Sequence, residues 1–284
     1  MNVNLKFIIM KIKLATFCLL FVAILLSCKK EDLTQSLESS SAHYIPSLSK
    51  VLIDNQSTSE FLYNDSNIIW QEKSRLDLTI HHYNANGQLV KSEFYGNDDV
   101  LSSDISVSQT AMTQAAWVTA ASGKEIGIVT YEYNQNGQLT KSTTTHPSFT
   151  CTEYSLFTYD TNNRISRQSM YWDEVATGYI DYTYDSKGNL ANETLYSTPL
   201  TGDAVAINST KYSFDGAPNP YRMNNKLPIP GINSNINNIL TETYTIYRPA
   251  ALGSDNVTVT ENTYTYNTLG YPVSKNGNMT FVYE

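Results

Sequence analysis

The chain has 284 residues, with 19 Lys and Arg against 27 Asp and Glu for a formal charge of −8, and only 16% of it is charged. An acidic chain without basic clusters lacks the electrostatic footprint of a nucleic-acid binder, so DNA and RNA fall outside the expected partners. Its hydrophobic fraction is 41%, and 21 Tyr stand beside 9 Phe and 3 Trp; with abundant Thr, Ser and Asn, this mixture favours strands and turns over helices.

The first element is an uninterrupted apolar run from Leu14 to Leu26, preceded by Lys11 and Lys13. As a helix it covers about 20 Å, short of the ~30 Å hydrocarbon core. It therefore reads as a secretory signal rather than a membrane span, with Met10 fitting as its start. The run ends in Leu25-Leu26-Ser27-Cys28, which resembles the lipobox of bacterial lipoproteins. That resemblance implies cleavage before Cys28 and lipid on its thiol and new amino group, so the outer membrane is an expected partner through Cys28. No Asp follows the cysteine, and Lys29-Lys30-Glu31-Asp32 resembles the signal that sends some Gram-negative lipoproteins to the outer face of the outer membrane. Residues 1–27 are thus the expected signal peptide, and residues 28–48 the lipidated Cys and a flexible Ser-rich tether. Cys18 leaves with the signal, so Cys151 is the one thiol of the domain at 49–284, which must hold without a disulfide. Cys151 reads as a small strand residue, because a nucleophilic cysteine needs a partner that favours its thiolate.

Within 49–284 one short pattern recurs. It reads Tyr63-Asn-Asp-Ser-Asn-Ile-Ile69, Tyr83-Asn-Ala-Asn-Gly-Gln-Leu89, Tyr133-Asn-Gln-Asn-Gly-Gln-Leu139, Tyr159-Asp-Thr-Asn-Asn-Arg-Ile165, Tyr184-Asp-Ser-Lys-Gly-Asn-Leu190 and Tyr266-Asn-Thr-Leu-Gly-Tyr-Pro272. A seventh copy starts at Phe214-Asp215 and breaks into Gly-Ala-Pro-Asn-Pro. With the aromatic residue as position i, Asn or Asp always follows at i+1, and position i+4 of the six intact copies is Asn67, Gly87, Gly137, Asn163, Gly188 or Gly270. Only Gly and Asn enter the left-handed region cheaply, so i+4 is expected at positive φ. A type I′ hairpin would need a second such site at i+3, where Ser66, Lys187 and Leu269 stand. The alternative is a type I turn followed by a left-handed residue and a bulge, with Asx at the first turn position. In that register i pairs with i+6, giving Tyr83–Leu89, Tyr133–Leu139, Tyr159–Ile165 and Tyr184–Leu190 on one face, each pair worth roughly 0.2–1 kcal/mol.

Aromatic residues two apart lead into the turns, as in Tyr131/Tyr133, Phe157/Tyr159, Tyr182/Tyr184, Tyr212/Phe214 and Tyr264/Tyr266; period two makes these strands. An insertion at 97–125 contains an Ala-Met-Thr-Gln-Ala-Ala-Trp-Val stretch with short-helix character, and residues 216–231 form an irregular Pro- and Asn-rich loop. The expected fold is all-β, an antiparallel meander of about fourteen strands closed or rolled into a barrel-like single sheet, because a flat sheet of that size would leave long free edges. The aromatic-Asx-x-x-Gly-x-Leu copies resemble YD (RHS-type) repeats. Together with Asp215-Gly-Ala-Pro-Asn-Pro-Tyr221, the Asn237-Asn-Ile-Leu-Thr-Glu242 stretch, the Tyr264–Pro272 copy and the lipobox, they resemble a family of uncharacterised outer-membrane lipoproteins with a porin-like β fold, over nearly all of 49–284. The resemblance implies fold and location, and no catalytic residue.

Simple alternation places Lys91, Lys141 and Arg167 on the Tyr–Leu face and Glu132, Glu193 and Glu261 on the other. A Lys or Arg at mid-depth on a lipid face costs roughly 2–4 kcal/mol, so the domain is expected to be soluble rather than membrane-spanning. Asp160 and Asp185 read as turn caps, since four other copies have Asn there. Asp98-Asp99 and Asp173-Glu174 lack metal-ligand spacing, His81 and His82 point to opposite faces of one strand, His43 is in the tether and His146 precedes Pro147. No catalytic set, metal site or cofactor is expected. Two functions remain: a non-enzymatic surface lipoprotein that binds a glycan or protein or has a structural role, and a polysaccharide hydrolase with carboxylates from the loops at 97–125 or 216–235. Trp70 and Trp172, read by alternation, both point away from the Tyr–Leu face and are candidates to stack on sugar rings.

Overall fold

A computed structural model describes residues 46–74, 77–96, 124–147, 150–222, 227–249 and 253–284. Cys28, the expected signal peptide, His43, Asp98-Asp99 and the insertion up to residue 123 lie outside the described residues. The strands are β1 (Leu48–Ile53), β2 (Gln56–Tyr63), β3 (Ile69–Ser74), β4 (Asp77–Tyr83), β5 (Leu89–Gly96), β6 (Lys124–Tyr133), β7 (Leu139–Thr145), β8 (Glu153–Tyr159), β9 (Ile165–Trp172), β10 (Val175–Tyr184), β11 (Leu190–Ser197), β12 (Val205–Pro218), β13 (Asn237–Ile246), β14 (Asn256–Glu261), β15 (Tyr264–Tyr266), β16 (Pro272–Lys275) and β17 (Met279–Tyr283). Seventeen strands stand where about fourteen were expected. The seven repeat copies supply fourteen of them, and β1, β14 and β17 lie outside the copies.

All pairings are antiparallel. Neighbours in the chain pair from β1 to β14 and from β15 to β17, and β1 returns to pair with β17. The sheet is rolled but does not close into a barrel: β14 pairs with β13 and β15 with β16, and no ladder joins β14 to β15. These two edge strands are consecutive in the chain. Between them, the Asn262 N–H donates to the Leu240 carbonyl (2.7 Å), while the Thr263 carbonyl accepts from the Asn276 N–H (2.9 Å). The same few residues therefore touch both ends of the roll.

Each repeat builds one turn. In the second copy the Gly87 N–H donates to the Asn84 carbonyl, the Asn84 N–H donates to the Gln88 carbonyl, and the Asn84 side-chain oxygen accepts from the N–H groups of Asn86 and Gln88. Asn64, Asn134, Asp160, Asp185 and Asn267 accept in the same way. Position i+4 has φ of 55° at Asn67, 73° at Gly87, 77° at Gly137, 64° at Asn163, 92° at Gly188 and 82° at Gly270. Residue i pairs with i+6 in all six intact copies.

A bulge follows immediately, because i+8 rather than i+7 pairs with i−1; Lys91 pairs with His82, Lys141 with Glu132 and Arg167 with Thr158. The extra residue reverses the alternation along the returning strand. Lys91, Lys141 and Arg167 consequently lie on the outer face, opposite the Tyr–Leu pairs, while Ser92, Ser142, Gln168 and Glu193 at i+9 point inward beside them. This corrects the assignment made by simple alternation, for Glu193 as well as for the cations.

The inner face carries two apolar clusters. One gathers Leu89, Tyr131, Leu139, Phe157, Ile165, Ile180, Tyr182 and Leu190 from β5–β11 with Leu227 and Ile229; the other gathers Leu48, Val51, Phe61, Ile69 and Phe281, with Tyr221 packed against it. Tyr221, Leu227 and Ile229 all belong to the segment between β12 and β13, which thus plugs the roll at the end bearing the repeat turns. Asn189, fully buried, holds that plug. Its carbonyl oxygen accepts from the N–H groups of Ile236 (2.8 Å) and Asn237 (3.0 Å), and its amide donates to Asp185 and Asn237. All four hydrogen-bonding positions of the side chain are filled.

Candidate functional site

Two arrangements bring chemistry-bearing side chains together. The first is internal. His81 on β4 lies 2.9 Å through Nδ1 from the Ser92 hydroxyl on β5 and 3.3 Å through Nε2 from the Glu72 carboxylate on β3. The bulges bring this Ser–His–carboxylate set together, which is why alternation alone missed it. Ser92 has no exposed surface and the His81 side chain is 1% exposed, so the hydroxyl faces no open cleft and the set links three strands. Nearby inward positions are also tied: Tyr212 donates to Glu193 (2.6 Å), and Tyr182 donates to Gln168 (2.9 Å), which itself donates to Ser155. Burial pushes the Glu193 carboxyl above the usual carboxylate range, against the Tyr212 hydrogen bond.

The remaining sequence candidates are dispersed. Asp160 is held below the usual range although burial opposes it, because the Arg164 and Asn162 N–H groups and the Arg164 guanidinium all favour its charged form. Asp173 accepts from the Thr152 N–H (2.8 Å), and His146 Nδ1 lies 3.0 Å from the Ile126 carbonyl. Burial pushes the Cys151 thiol up, with Asp173 and Glu153 adding to the rise. Residues 216–235 carry Asn and Pro and not one carboxylate. Trp70 sits at the bulge of β3, 36% exposed. Trp172 pairs with Glu153 at the far end of β9, on the inner face with Met170, which packs on the core. The bulge after Ile165 therefore reverses its orientation, and the two indoles lie at opposite ends of the strands, six strands apart. Among the described residues no group of three His, Cys, Asp or Glu could hold a metal ion, and no helix is long and apolar enough to cross a membrane.

The second arrangement is on the outer face of β7–β11. Tyr154 and Tyr171 stack with centroids 4.7 Å apart and planes at 4°, and Tyr179 and Tyr196 stack at 4.6 Å and 18°. Lys141 Nζ lies 4.9 Å from the Tyr154 ring centroid and Arg167 Cζ lies 3.9 Å from that of Tyr179. Arg167 also forms a two-pronged ion pair with Asp181 (2.6 and 2.8 Å). The two assemblies are the same design one repeat apart, with a cation at i+8, a Tyr at i−5 and a Tyr at i+12, counted from Tyr133, Tyr159 and Tyr184. Nothing in the turn motif signals them; only Tyr at i−5 and i+12 in two successive copies could have.

No protein-family model matches the chain, and no curated protein matches its sequence. Among solved structures it is similar to a porin-like protein from Bacteroides uniformis ATCC 8492 (12% identity, 84% of this chain and 98% of that one, TM-score 0.41). It is also similar to TcdB2-TccC3 (12%, 74% and 14%, TM-score 0.20) and to a protein of unknown function from Bacteroides fragilis NCTC 9343 (10%, 64% and 91%, TM-score 0.23). Likeness at this level leaves the functional reading to the chain's own residues.

Proposed function

We propose that the protein is a lipoprotein anchored in the outer membrane through Cys28, facing the cell exterior, with a non-enzymatic binding role. The outward tyrosine–cation stacks on β7–β11 carry this reading: they offer recognition surface, whereas the Ser92–His81–Glu72 set is sealed inside the roll. Charge on the outer face, from Lys91, Lys141, Arg167, Glu132 and Asp181, supports a domain that stands in water on its tether, since such groups are costly against lipid. The lipobox-like Leu25-Leu26-Ser27-Cys28 supplies the anchor. Protease shaving of intact cells tests the orientation. A combined screen of full-length protein for glycan and protein binding and for polysaccharide hydrolysis tests the role: binding without turnover is the expected result, and turnover would favour the hydrolase.

A further inference from the structure

From the two tyrosine stacks we infer a carbohydrate-binding platform, in which sugar rings of a neutral, extended glycan lie against the faces of Tyr171 and Tyr196 turned away from their stacking partners. This rests on the binding role proposed above and specifies its site and ligand class. Neighbouring strands lie about 4.8 Å apart, and the ring centroids within each pair are separated by 4.7 and 4.6 Å. The rings therefore stand upright on the sheet, with their faces looking along it from strand to strand. In each stack a cation covers one outer face, Lys141 on Tyr154 and Arg167 on Tyr179, and the opposite face belongs to Tyr171 or Tyr196. The next strand then presents a methyl group: Tyr171 pairs with Ala176 on β10, and Tyr196 with Ala206 on β12, where Tyr247, hydrogen-bonded through its hydroxyl to Ser209 of the same strand (2.8 Å), bounds the second slot. A flat ring slotted above each alanine would continue the stack.

The chemistry of the slots favours a sugar over an aromatic or anionic ligand. The negative π face of tyrosine attracts the weakly positive C–H groups on a pyranose face, and a carboxylate is a natural acceptor for vicinal hydroxyls. Glu174, exposed in the two-residue turn between β9 and β10, accepts from the Tyr154 hydroxyl (3.0 Å), so its carboxylate lies at the rim of the first stack. That turn has φ of 43° at Asp173 and 68° at Glu174, a conformation that suits Asn-Gly. The chain uses Asp54-Asn55 for the corresponding two-residue turn between β1 and β2, so it keeps a strained glutamate at the turn beside the first stack. The stacks are not a requirement of the hairpin: the same two positions hold Leu78 and Tyr95 in the second copy and Ile128 and Thr145 in the third.

The test uses the full-length chain in detergent with cellohexaose, mannohexaose, xylohexaose and maltohexaose as probes, read by calorimetry. At least one should bind, with Tyr171→Ala and Tyr196→Ala each weakening it tenfold or more, Tyr171→Phe and Tyr196→Phe restoring it to within threefold, and Tyr95→Ala leaving it unchanged. Because the alanine variants could unfold, tyrosine nitration of the unaltered protein, mapped by mass spectrometry, gives a second reading. The bound hexasaccharide should protect Tyr171 and Tyr196 and leave Tyr95 reactive. Binding that persists through both alanine variants, or protection elsewhere, overturns the platform while leaving the binding role intact. Absence of binding to all four probes overturns the platform as well, whereas turnover of any of them would instead overturn the non-enzymatic role.

Discussion

The hydroxyl of Tyr133 donates to the main-chain carbonyl of Leu89, 2.8 Å away and 44 residues earlier in the chain. The ladder between β5 and β6 ends at Lys91–Thr130, so the Leu89 carbonyl lies beyond the last paired residue, and the tyrosine supplies its hydrogen bond. The relationship recurs between successive hairpins: Tyr83 donates to Ile69, Tyr159 to Leu139 and Tyr184 to Ile165, and Tyr63 donates to Leu48 of β1. It explains why these five copies carry Tyr and not Phe at this position. A buried carbonyl left unmet costs about 1 kcal/mol or more. Tyr133→Phe and Tyr159→Phe should each lower stability by about that amount, measured by urea denaturation; a loss below about 0.3 kcal/mol in both would assign the hydroxyls no structural part.

Gly137→Val should destabilise by about 1 kcal/mol or more, because a β-branched residue is strained at φ of 77°. Gly137→Asn should cost much less. The Gln88 side-chain nitrogen is the nearest atom to an added Cβ, at 3.5 Å, so the difference isolates the backbone. Equal losses in denaturant midpoint for Val and Asn would contradict the left-handed assignment.

Asn189→Ala should cost about 1–3 kcal/mol, since it strands the buried N–H groups of Ile236 and Asn237. The loss should be accompanied by faster proteolysis between residues 219 and 236. Cleavage there at the wild-type rate would show that the plug does not depend on this amide.

Glu193 gives a pH signature. Its folded pKa is raised by burial, so between its unfolded and folded pKa values the native state holds more protons, and stability falls as pH rises through that window. Glu193→Gln keeps an acceptor for the Tyr212 hydroxyl and removes the titration. Its stability should depend less steeply on pH above about 4.3, and parallel curves for the two proteins would exclude the carboxyl as the source.

Cys28→Ala should abolish fatty-acid incorporation and leave unprocessed or soluble protein. Labelling that survives the change would remove Cys28 as the anchor.

The turns were legible in the sequence because their requirements are local. One left-handed residue and one Asx side chain fix the loop, and both recur in order. Which face each later residue occupies was not legible by counting in twos, because the bulge adds a residue after every i+6. That single residue moved Lys91, Lys141 and Arg167 outward, turned Trp172 inward, and brought Glu72, His81 and Ser92 together. The plug was legible only as an irregular loop, since Asn189 reaches Ile236 and Asn237 across 47 and 48 residues. The tyrosine stacks join cross-strand partners on adjacent strands, and nothing in the turn motif marks them; only the recurrence of Tyr at i−5 and i+12 in two successive copies does.

The pairing of β1 with β17 bears on the order of assembly. The hairpins can zip one after another through ladder contacts at most 39 residues apart, but the Ser49 hydroxyl meets the Val282 carbonyl across 233 residues. Contacts this distant in sequence come late, because the entropy of closing so large a loop must be met first. Until β17 arrives, β1 leaves one row of its N–H and C=O groups open to another chain. The vulnerable species in refolding is therefore a nearly complete sheet with a bare first edge, and its tendency to aggregate should track the concentration of protein while β17 is still unpaired. Circular permutation that fuses β17 to β1 through a short linker would make this contact local and speed the final step.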